Sequence, residues 1–317
     1  MKNSKYDSMI QGPVTIVFTP FTQDGSKINE EQLRKNVQFM VDNGMGEECG
    51  VLVAGGSTGD CYVLSLEERK KVFEIVCEAT KGKCPVFCGI NSTSTEEAIE
   101  LAQYAEKCGA KGVMATPPYY WINPTEETLL QHYKALSDNI SIGIMIYNNP
   151  NITAQDISLE TLKKLAEIEN VVALKECSGN TVKFKLVVED LSDKLVIING
   201  AGEWIEPLGY QMGTNAFITA YANMYPKHVI EIHKLASRGK YKEADEIIKA
   251  FKPLKTILWN GTRRYGASVE AKIYKEMADI LGFNEGGTRL PIMPTPEDVK
   301  IELKKALDTI NLPEIKG

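Results

Sequence analysis

Long apolar runs and basic blocks are both missing from this sequence of 317 residues. No apolar stretch approaches the length of about 20 residues that a membrane-spanning helix needs. The formal net charge is −6, and without a basic block the chain has little electrostatic attraction for nucleic acid or an anionic membrane. Residues 1–11 are polar and lack the apolar core of a signal peptide. We therefore expect a cytoplasmic protein that binds neither nucleic acid nor a membrane.

Residues that commonly bind metals are few and poorly spaced for that purpose. The histidines are His132, His228 and His233. Cys84 and Cys88 lie close together, but no second cysteine pair stands at ligand spacing. An odd number of scattered cysteines suits reduced thiols better than a disulfide framework. The seven are Cys49, Cys61, Cys77, Cys84, Cys88, Cys108 and Cys177. We expect neither a metal nor another cofactor.

What the sequence does contain is a series of short, nearly continuous apolar runs. Each is bounded by Gly, Pro, Asn or Thr, which is typical of strands that are buried on both faces. The eight runs cover residues 14–18, 51–54, 86–90, 112–115, 142–147, 171–174, 195–198 and 215–219. Segments with helical periodicity lie between them, and several begin with Ser or Thr followed by glutamate, as at Ser65, Thr95, Thr125 and Ser158. A hydroxyl followed by carboxylates satisfies the free N–H groups and the dipole of a helix start.

Eight strands that each precede a helix predict a (β/α)8 TIM barrel of the α/β class. A doubly wound open sheet is the main structural alternative, but it usually has fewer strands. After residue 225 the strand pattern stops, and four helices are predicted at residues 226–237, 240–259, 267–282 and 295–310. We therefore predict a catalytic barrel domain of residues 1–225 and a C-terminal helical domain of residues 226–317.

Lys175 follows the apolar run of residues 171–174, which places an amine at the tip of a buried strand. In a TIM barrel the carboxyl ends of the strands carry the active site. A lysine in an apolar setting is costly to keep charged, so we predict a lowered pKa and a neutral, nucleophilic amine. Such an amine can condense with a ketone to form a Schiff base.

Other strand ends supply groups that suit a 2-oxo acid. The glycines of residues 55–59 can turn backbone N–H groups inward to bind a carboxylate, beside the hydroxyls of Ser57 and Thr58. Tyr147 ends the fifth strand, and its phenol can move protons while a carbinolamine forms and loses water. The resulting imine acts as an electron sink, so an enamine can make or break a carbon–carbon bond.

Over nearly its whole length, the chain resembles the dihydrodipicolinate synthase and N-acetylneuraminate lyase family of Schiff-base, pyruvate-dependent class I aldolases. The resemblance is carried by the motifs Gly56-Ser57-Thr58-Gly59, Gly89-Ile90-Asn91-Ser92-Thr93, Pro118-Tyr119-Tyr120, Tyr147-Asn148-Asn149-Pro150 and Leu174-Lys175-Glu176. Members of the family are typically barrels with a C-terminal helical domain, often tetramers built from two tight dimers. The resemblance therefore implies a lyase of the class I aldolase type, with pyruvate or another 2-oxo acid as substrate and a homo-oligomeric assembly.

The resemblance also implies catalytic roles. Lys175 would form the Schiff base, and Tyr147 would donate and accept protons near the reacting carbon. Ser57 would relay protons between Tyr147 and a second tyrosine that reaches in from the neighbouring subunit. Tyr120 is the candidate for that second tyrosine, and its neighbour Tyr119 is the alternative.

Five residues are implied to bind the 2-oxo acid. The backbone N–H groups of Ser57 and Thr58, in the turn that contains Gly56, would hold the carboxylate of pyruvate. Gly200 and Ile218, at the ends of the seventh and eighth strands, would line the pyruvate pocket.

Three positions depart from the pattern of the family. Ile152 stands where dihydrodipicolinate synthases have an arginine that binds the carboxylate of the aldehyde substrate, and an aliphatic side chain cannot form that bidentate pair. Asn148 stands where N-acetylneuraminate lyases commonly have a histidine. Asp60 replaces the more usual glutamate with a shorter side chain of the same charge. The first two departures argue against aspartate semialdehyde and sialic acid as substrates.

We therefore expect an aldolase that acts on a 2-oxo-3-deoxy sugar acid such as 2-keto-3-deoxygluconate, with Trp121 packing against the polyol chain. The first alternative is a 4-hydroxy-tetrahydrodipicolinate synthase, which condenses pyruvate with aspartate semialdehyde and would bind the aldehyde carboxylate through another residue. A Schiff-base dehydratase or deaminase of the same family is a further alternative. Outside the enzymes, the barrel would suit a sensor that binds a 2-oxo acid without catalysis.

Overall fold

Eight parallel strands, hydrogen-bonded in chain order, form a closed barrel at the centre of the protein. The structure is a computed structural model that describes residues 4–47, 49–120 and 124–315. The strands are β1 (Gly12–Ile16), β2 (Val51–Ala54), β3 (Val86–Gly89), β4 (Gly112–Ala115), β5 (Gly143–Asn148), β6 (Val171–Glu176), β7 (Val196–Asn199) and β8 (Ala216–Thr219). Each predicted run overlaps one strand, and the ends differ by at most two residues. The prediction of a (β/α)8 barrel is confirmed.

Helices surround the barrel and continue after its last strand. Those that follow or precede β1 to β7 are α1 (Ser4–Met9), α2 (Glu30–Asp42), α3 (Leu66–Ala79), α4 (Thr95–Lys107), α5 (Glu126–Asn139), α6 (Pro150–Thr153), α7 (Leu159–Leu165), α8 (Thr181–Leu191) and α9 (Leu208–Met212). Those that follow β8 are α10 (Pro226–Ala236), α11 (Tyr241–Ala250), α12 (Lys252–Tyr265), α13 (Glu270–Ile280) and α14 (Glu297–Thr309).

The predicted helix starts are capped by side-chain hydroxyls. The hydroxyl of Ser65 accepts a hydrogen bond from a backbone N–H of the first turn of α3, as predicted, and the hydroxyls of Thr125 and Ser158 do the same for α5 and α7. Ser94, rather than the predicted Thr95, caps α4.

The predicted helix of residues 240–259 is wrong, because two helices occupy that stretch. α11 ends at Ala250 and α12 begins at Lys252, with Phe251 between them. Pro253 explains the break, since proline has no backbone N–H to donate and its ring clashes with the carbonyl four residues earlier in a continuous helix. The other predicted C-terminal helices are present with shorter ends, and the domain division at residue 225 stays a prediction.

The interior of the barrel is filled at the amino ends of the strands. Side chains such as Val51 and Val53 pack there with Tyr6, which lies on α1, a helix that the sequence analysis did not predict. The Tyr6 ring meets Phe87 edge to face at 6.5 Å between ring centroids, and its hydroxyl donates to the carbonyl of Lys111 at 3.0 Å. Because this end is closed by packing, only the carboxyl ends of the strands remain for a ligand.

α13 lies against the carboxyl-end side of the barrel and helps to enclose that end. The ring of Tyr274 on α13 is 6.4 Å from that of Phe18, just after β1, and 5.6 Å from that of Tyr221, just after β8. All three rings are buried. The C-terminal helices therefore form part of the wall around the mouth of the barrel.

In the described part of the chain, no helix combines the length and the apolar character needed to cross a membrane. The seven cysteines are free thiols. Among the described residues, His, Cys, Asp and Glu form no group of three or more that could hold a metal ion.

Candidate active site

A cavity of about 830 Å³ opens at the carboxyl ends of the strands. This is the end of a TIM barrel at which catalytic residues are found. Most of the predicted site residues line the cavity, namely Ser57, Thr58, Tyr147, Lys175, Gly200 and Ile218. These residues are spread over more than half of the chain, but the barrel places them together at the carboxyl ends of its strands, as predicted.

Lys175 and Tyr147 lie side by side in this cavity. They face each other across the pairing of β5 and β6, and both side chains are buried. The Nζ atom of Lys175 lies 3.9 Å from the centroid of the Tyr147 ring. Asn149 donates a hydrogen bond to the phenol oxygen at 3.0 Å, which leaves the phenol free to donate its own proton elsewhere. The arrangement offers an amine and a proton donor to one carbonyl group.

The prediction of a lowered pKa for Lys175 is wrong. Burial has the largest influence and lowers this pKa, but interactions with Tyr147, Cys177 and Glu270, among them a hydrogen bond with the Tyr147 side chain, raise it by more. Sequence reasoning counted only the loss of water around the amine, because the partners come from other elements. A raised pKa means that Lys175 is an ammonium at neutral pH, so it has to lose a proton before it can attack a carbonyl.

Burial also raises the pKa values of the groups around Lys175. Burial raises the pKa of Tyr147, against the opposing charge of Lys175. Burial likewise raises the pKa of the Cys177 thiol to about 11. Cys177 is therefore a poor nucleophile at neutral pH, and Lys175 is the better candidate for covalent chemistry.

Two glycines make room for the site. A Cβ at Gly56 would lie 2.8 Å from the Ile16 side chain, so Gly56 lets the turn that carries Ser57 and Thr58 pack against β1. Gly56 itself does not appear on the cavity wall. A Cβ at Gly200 would lie 2.1 Å from the sulfur of Cys177, so any larger residue would push into the end of β6.

Tyr119 and Tyr120 differ in exposure, with Tyr119 half-buried and Tyr120 exposed. Tyr119 lines the cavity, and burial raises the pKa of its phenol. Tyr120 is 87% exposed, has a positive φ of 83°, and is not on the cavity wall of this chain. The expected contact of Tyr120 with a neighbouring subunit stays a prediction. Trp121 lies outside the described residues.

Asn148 faces away from the cavity. Its amide nitrogen donates to Glu176 at 2.7 Å and to Asp156 at 2.8 Å, and its oxygen accepts from the backbone of Ile157. The residue is fully buried. Asn148 therefore links β5 to β6 and to the following loop, instead of presenting an amide to a ligand.

Sequence reasoning missed a group of polar residues on the cavity wall: Asn91, Thr116, Glu203, Glu270 and Tyr274. Asn91, Thr116 and Glu203 come shortly after β3, β4 and β7, so the strand-end rule would have found them. Glu270 and Tyr274 lie on α13, far along the chain from the barrel strands, and no local pattern marks them.

Two of these residues, Glu203 and Glu270, are carboxylic acids whose pKa values are raised. Burial raises the pKa of Glu203 to about 7, although a hydrogen bond from Thr219 opposes this shift. Burial also raises the pKa of Glu270, which the positive charge of Lys175 partly offsets. The cavity thus contains two carboxyl groups beside one ammonium group.

Comparison with known proteins agrees with the motifs. The sequence profile of the Dihydrodipicolinate synthetase family matches residues 9–310. This chain belongs to that family. It is 33% identical to the 4-hydroxy-tetrahydrodipicolinate synthase of Methanococcus maripaludis (strain C5), over 96% of this chain and 99% of that protein.

Solved structures of the dihydrodipicolinate synthetase family have the same fold. The dihydrodipicolinate synthase of Aquifex aeolicus is 30% identical, with a TM-score of 0.86 over 96% of this chain and 99% of that chain. The Acinetobacter baumannii enzyme, solved in complex with pyruvate, is 29% identical, with a TM-score of 0.85 over 94% of this chain and 98% of that chain. The family prediction is confirmed, and the chain is a lyase of the Schiff-base, class I aldolase type.

At the cavity mouth, this member of the dihydrodipicolinate synthetase family has no arginine among the described lining residues. Ile152 is 44% exposed and lines the cavity together with Asn151. Lys175 is the one cationic side chain among the described residues of the wall. A substrate carboxylate at the mouth would therefore meet neutral or acidic side chains.

Proposed function

We propose that Lys175 forms a Schiff base with pyruvate and that the enzyme then makes or breaks a carbon–carbon bond at the methyl carbon. The observation that carries the proposal is the placement of the Lys175 amine 3.9 Å from the centre of the Tyr147 ring, inside the cavity. An amine that attacks a ketone needs a proton donor beside it, and a phenol can fill that role. The pyruvate complex of the Acinetobacter baumannii relative supports pyruvate as the first substrate.

The reaction begins with binding of the pyruvate carboxylate to the backbone N–H groups of Ser57 and Thr58. After Lys175 gives up a proton to water, its amine attacks the ketone carbon; Tyr147 donates its proton to the ketone oxygen and takes one back from the nitrogen, which leaves a neutral carbinolamine. Tyr147 then protonates the carbinolamine hydroxyl, which leaves as water as the protonated imine forms. The Tyr147 phenolate takes a proton from the methyl carbon to give an enamine, the enamine attacks an aldehyde, and Tyr147 returns the proton to the aldehyde oxygen. The reverse sequence cleaves the product.

The first candidate for the complete reaction is condensation of pyruvate with aspartate semialdehyde. The names of the curated relatives support it, and they favour this alternative over the sugar-acid substrate that the sequence analysis put first. In this chain the carboxylate of the semialdehyde would have to bind neutral donors such as Asn151, because Ile152 occupies the place of the arginine. We therefore expect a high KM for the semialdehyde.

The second candidate is an aldehyde that carries hydroxyl groups and no carboxylate, as in cleavage of 2-keto-3-deoxygluconate. The composition of the cavity wall favours it, because Glu203 and Glu270 provide carboxyl groups while Ile152 provides no charge. Carboxylates accept hydrogen bonds from hydroxyl groups and repel a second carboxylate. This candidate needs no cationic group besides Lys175.

Borohydride reduction in the presence of pyruvate tests the covalent step. We expect a reduced pyruvyl adduct on the peptide that contains Lys175, and none in a Lys175→Met variant. Lys194→Met removes a lysine that pairs with Glu167 on the surface and serves as the matched control, with an adduct like that of the unmodified chain. An adduct on another lysine, or none at all, would contradict the proposed function. Binding of the 2-oxo acid without any adduct would instead favour a sensor.

Two assays in parallel distinguish the candidate second substrates. One measures condensation of pyruvate with aspartate semialdehyde, and the other measures release of pyruvate from a panel of 2-oxo-3-deoxy sugar acids. Ile152→Arg is the informative variant, because it restores a cation at the cavity mouth. If the hydroxylated substrate is the natural one, this change should raise kcat/KM for the semialdehyde and lower it for the sugar acid. If the unmodified chain condenses pyruvate with the semialdehyde and releases no pyruvate from any of the sugar acids, the synthase is supported.

A further inference from the structure

A buried ion pair fixes the chain directly after the turn that carries Ser57 and Thr58. The turn is a short 3-10 helix, Ser57–Gly59, and Asp60 follows it in a left-handed conformation with φ 61° and ψ 25°. The carboxylate of Asp60 accepts a hydrogen bond from the Lys275 ammonium at 2.8 Å. Asp60 is 3% exposed and Lys275 is 1% exposed, so the pair is closed off from solvent.

Lys275 binds two parts of the barrel at once. Besides Asp60, its ammonium donates to the carbonyl of Thr19 at 2.7 Å and lies 4.6 Å from the centroid of the Phe21 ring. The hydroxyl of Thr19 in turn donates to the carbonyl of Gly59 at 2.7 Å. The segment after β1, the turn after β2 and α13 therefore meet at one ammonium group.

The charge of Lys275 is balanced chiefly by Asp60. Glu285 also lies near Lys275, but burial raises its pKa to about 8, so it is largely protonated at neutral pH and accepts a hydrogen bond from Asn36. Lys272, one turn earlier on α13, faces Asp279 at 3.9 Å and the carbonyl of Gly286 at 3.3 Å. Asp60 is left as the carboxylate in direct contact with Lys275.

The ion pair lies behind the turn and not in the cavity. Ser57 and Thr58 line the cavity, whereas Asp60 and Lys275 are not among the residues of its wall. A buried charge whose partner is removed is strongly unfavourable, so Asp60 and the turn before it are confined to the position in which Lys275 can reach them. Backbone N–H groups bind a carboxylate well only if they already point to the same place.

We propose that Lys275 is a positioning residue for 2-oxo acid binding: through Asp60 it fixes the turn whose Ser57 and Thr58 N–H groups receive the carboxylate. The inference rests on the proposed function, since it concerns the same carboxylate site. It assigns to α13, outside the barrel strands, control over affinity for the first substrate.

The test compares Lys275→Met with Lys272→Met, a buried lysine of the same helix that does not contact the turn. For each variant, the rate of borohydride-trapped adduct formation is measured against pyruvate concentration, and the melting temperature is recorded. We expect Lys275→Met to raise the half-saturating pyruvate concentration about tenfold or more while the rate at saturation changes much less. Lys272→Met should stay within about twofold of the unmodified chain in half-saturation, even if both variants melt earlier.

Hydroxyacetone separates positioning of the carboxylate from the reactivity of the amine. This ketone has no carboxylate. The rate at which borohydride traps it on Lys175 should therefore fall only slightly, and by the same amount, in Lys275→Met and in Lys272→Met. Asp60→Asn should reproduce the effect of Lys275→Met, and the double variant should be no worse than the more affected single one, because both changes break one contact. If Lys275→Met does not fold, Asp60→Asn supplies the same comparison.

Two outcomes overturn the inference, and they differ from each other. If the unmodified chain forms no adduct on Lys175, the proposed function fails and the positioning role fails with it. If the unmodified chain forms the adduct but Lys275→Met and Asp60→Asn keep a half-saturation within about twofold of Lys272→Met, the ion pair serves stability alone.

Discussion

The raised pKa of Lys175 leads to a prediction for the pH dependence of the proposed covalent step. Because the pKa of the amine is raised, the nucleophilic form is a minor species at neutral pH and grows about tenfold for each pH unit below that pKa. We expect the initial rate of imine formation with pyruvate to rise from about pH 7 to about pH 10 without a plateau. Rapid borohydride trapping across this range measures it. A rate that levels off near neutrality would show that the amine is already free there.

Glu285 predicts a second pH effect, on stability. Its pKa in the folded protein is about 8, above the ordinary value for glutamate, so the folded state binds this proton more tightly than the unfolded state. The stabilisation is therefore complete in acid and is lost as the pH rises through the folded pKa. Urea unfolding at about pH 6 and about pH 9 should show a smaller fall for Glu285→Gln than for the unmodified chain. An equal fall in both proteins would contradict the shift.

Individual residues were predictable where their position along a strand decided their place. Lys175 and Tyr147 end adjacent strands, and parallel strands bring their carboxyl ends together, so the sequence located both. The charge state of Lys175 was not predictable, because it depends on Cys177 and on Glu270 of a distant helix. The ion pair of Asp60 was also not predictable, because its partner Lys275 lies 215 residues later in the chain.

At the scale of single elements, the start of α3 offers a local test. The Ser65 hydroxyl accepts from the backbone N–H of Glu68 at 3.2 Å, and the Glu68 carboxylate accepts from the N–H of Ser65 at 3.0 Å. Ser65→Ala should lower the free energy of unfolding by about 1 kcal/mol, because one N–H of the first turn loses its partner. Ser192→Ala, at the C-terminal end of α8, is the control, since no free helix N–H groups lie there. Equal effects on urea midpoints would mean that the cap contributes nothing.

Strands were easier to predict than helix boundaries for a physical reason. A strand buried on both faces must be apolar along its whole length, so runs such as residues 51–54 stand out from their surroundings. The helix of residues 240–259 was misjudged because its apolar periodicity continues past Phe251. The position of Pro253, which was visible in the sequence, outweighs that periodicity.

At the scale of the whole molecule, Tyr6 closes the end of the barrel opposite to the cavity. Tyr6→Ala should destabilise the protein by about 3–5 kcal/mol, because it leaves a void beside Phe87 and Gly143. Tyr6→Phe keeps the ring but removes the hydroxyl that bonds to the carbonyl of Lys111, and should cost about 1 kcal/mol. Denaturant unfolding measures both values. Pyruvate trapping by the folded fraction should be unchanged in each, and a loss of trapping in Tyr6→Phe would show that the two ends of the barrel are coupled.

The barrel as a whole could be predicted, but the enclosure of its mouth could not. Alternating strands and helices specify a closed parallel barrel through local patterns repeated eight times. No local sequence pattern indicates that Glu270 and Tyr274 face the cavity, because their position depends on how α13 packs against the barrel. Tertiary packing of this kind becomes visible only in three dimensions.

The late position of α13 in the chain has a consequence for synthesis on the ribosome. When β8 has left the exit tunnel, all eight strands are available, but the segment that holds Lys275 is still being made. The nascent barrel then lacks one side of its mouth and the cation that pairs with Asp60, behind the turn proposed to bind the carboxylate. Competence to capture a 2-oxo acid should therefore arise only after α13 has been synthesised, when the eight strands of the scaffold are already available.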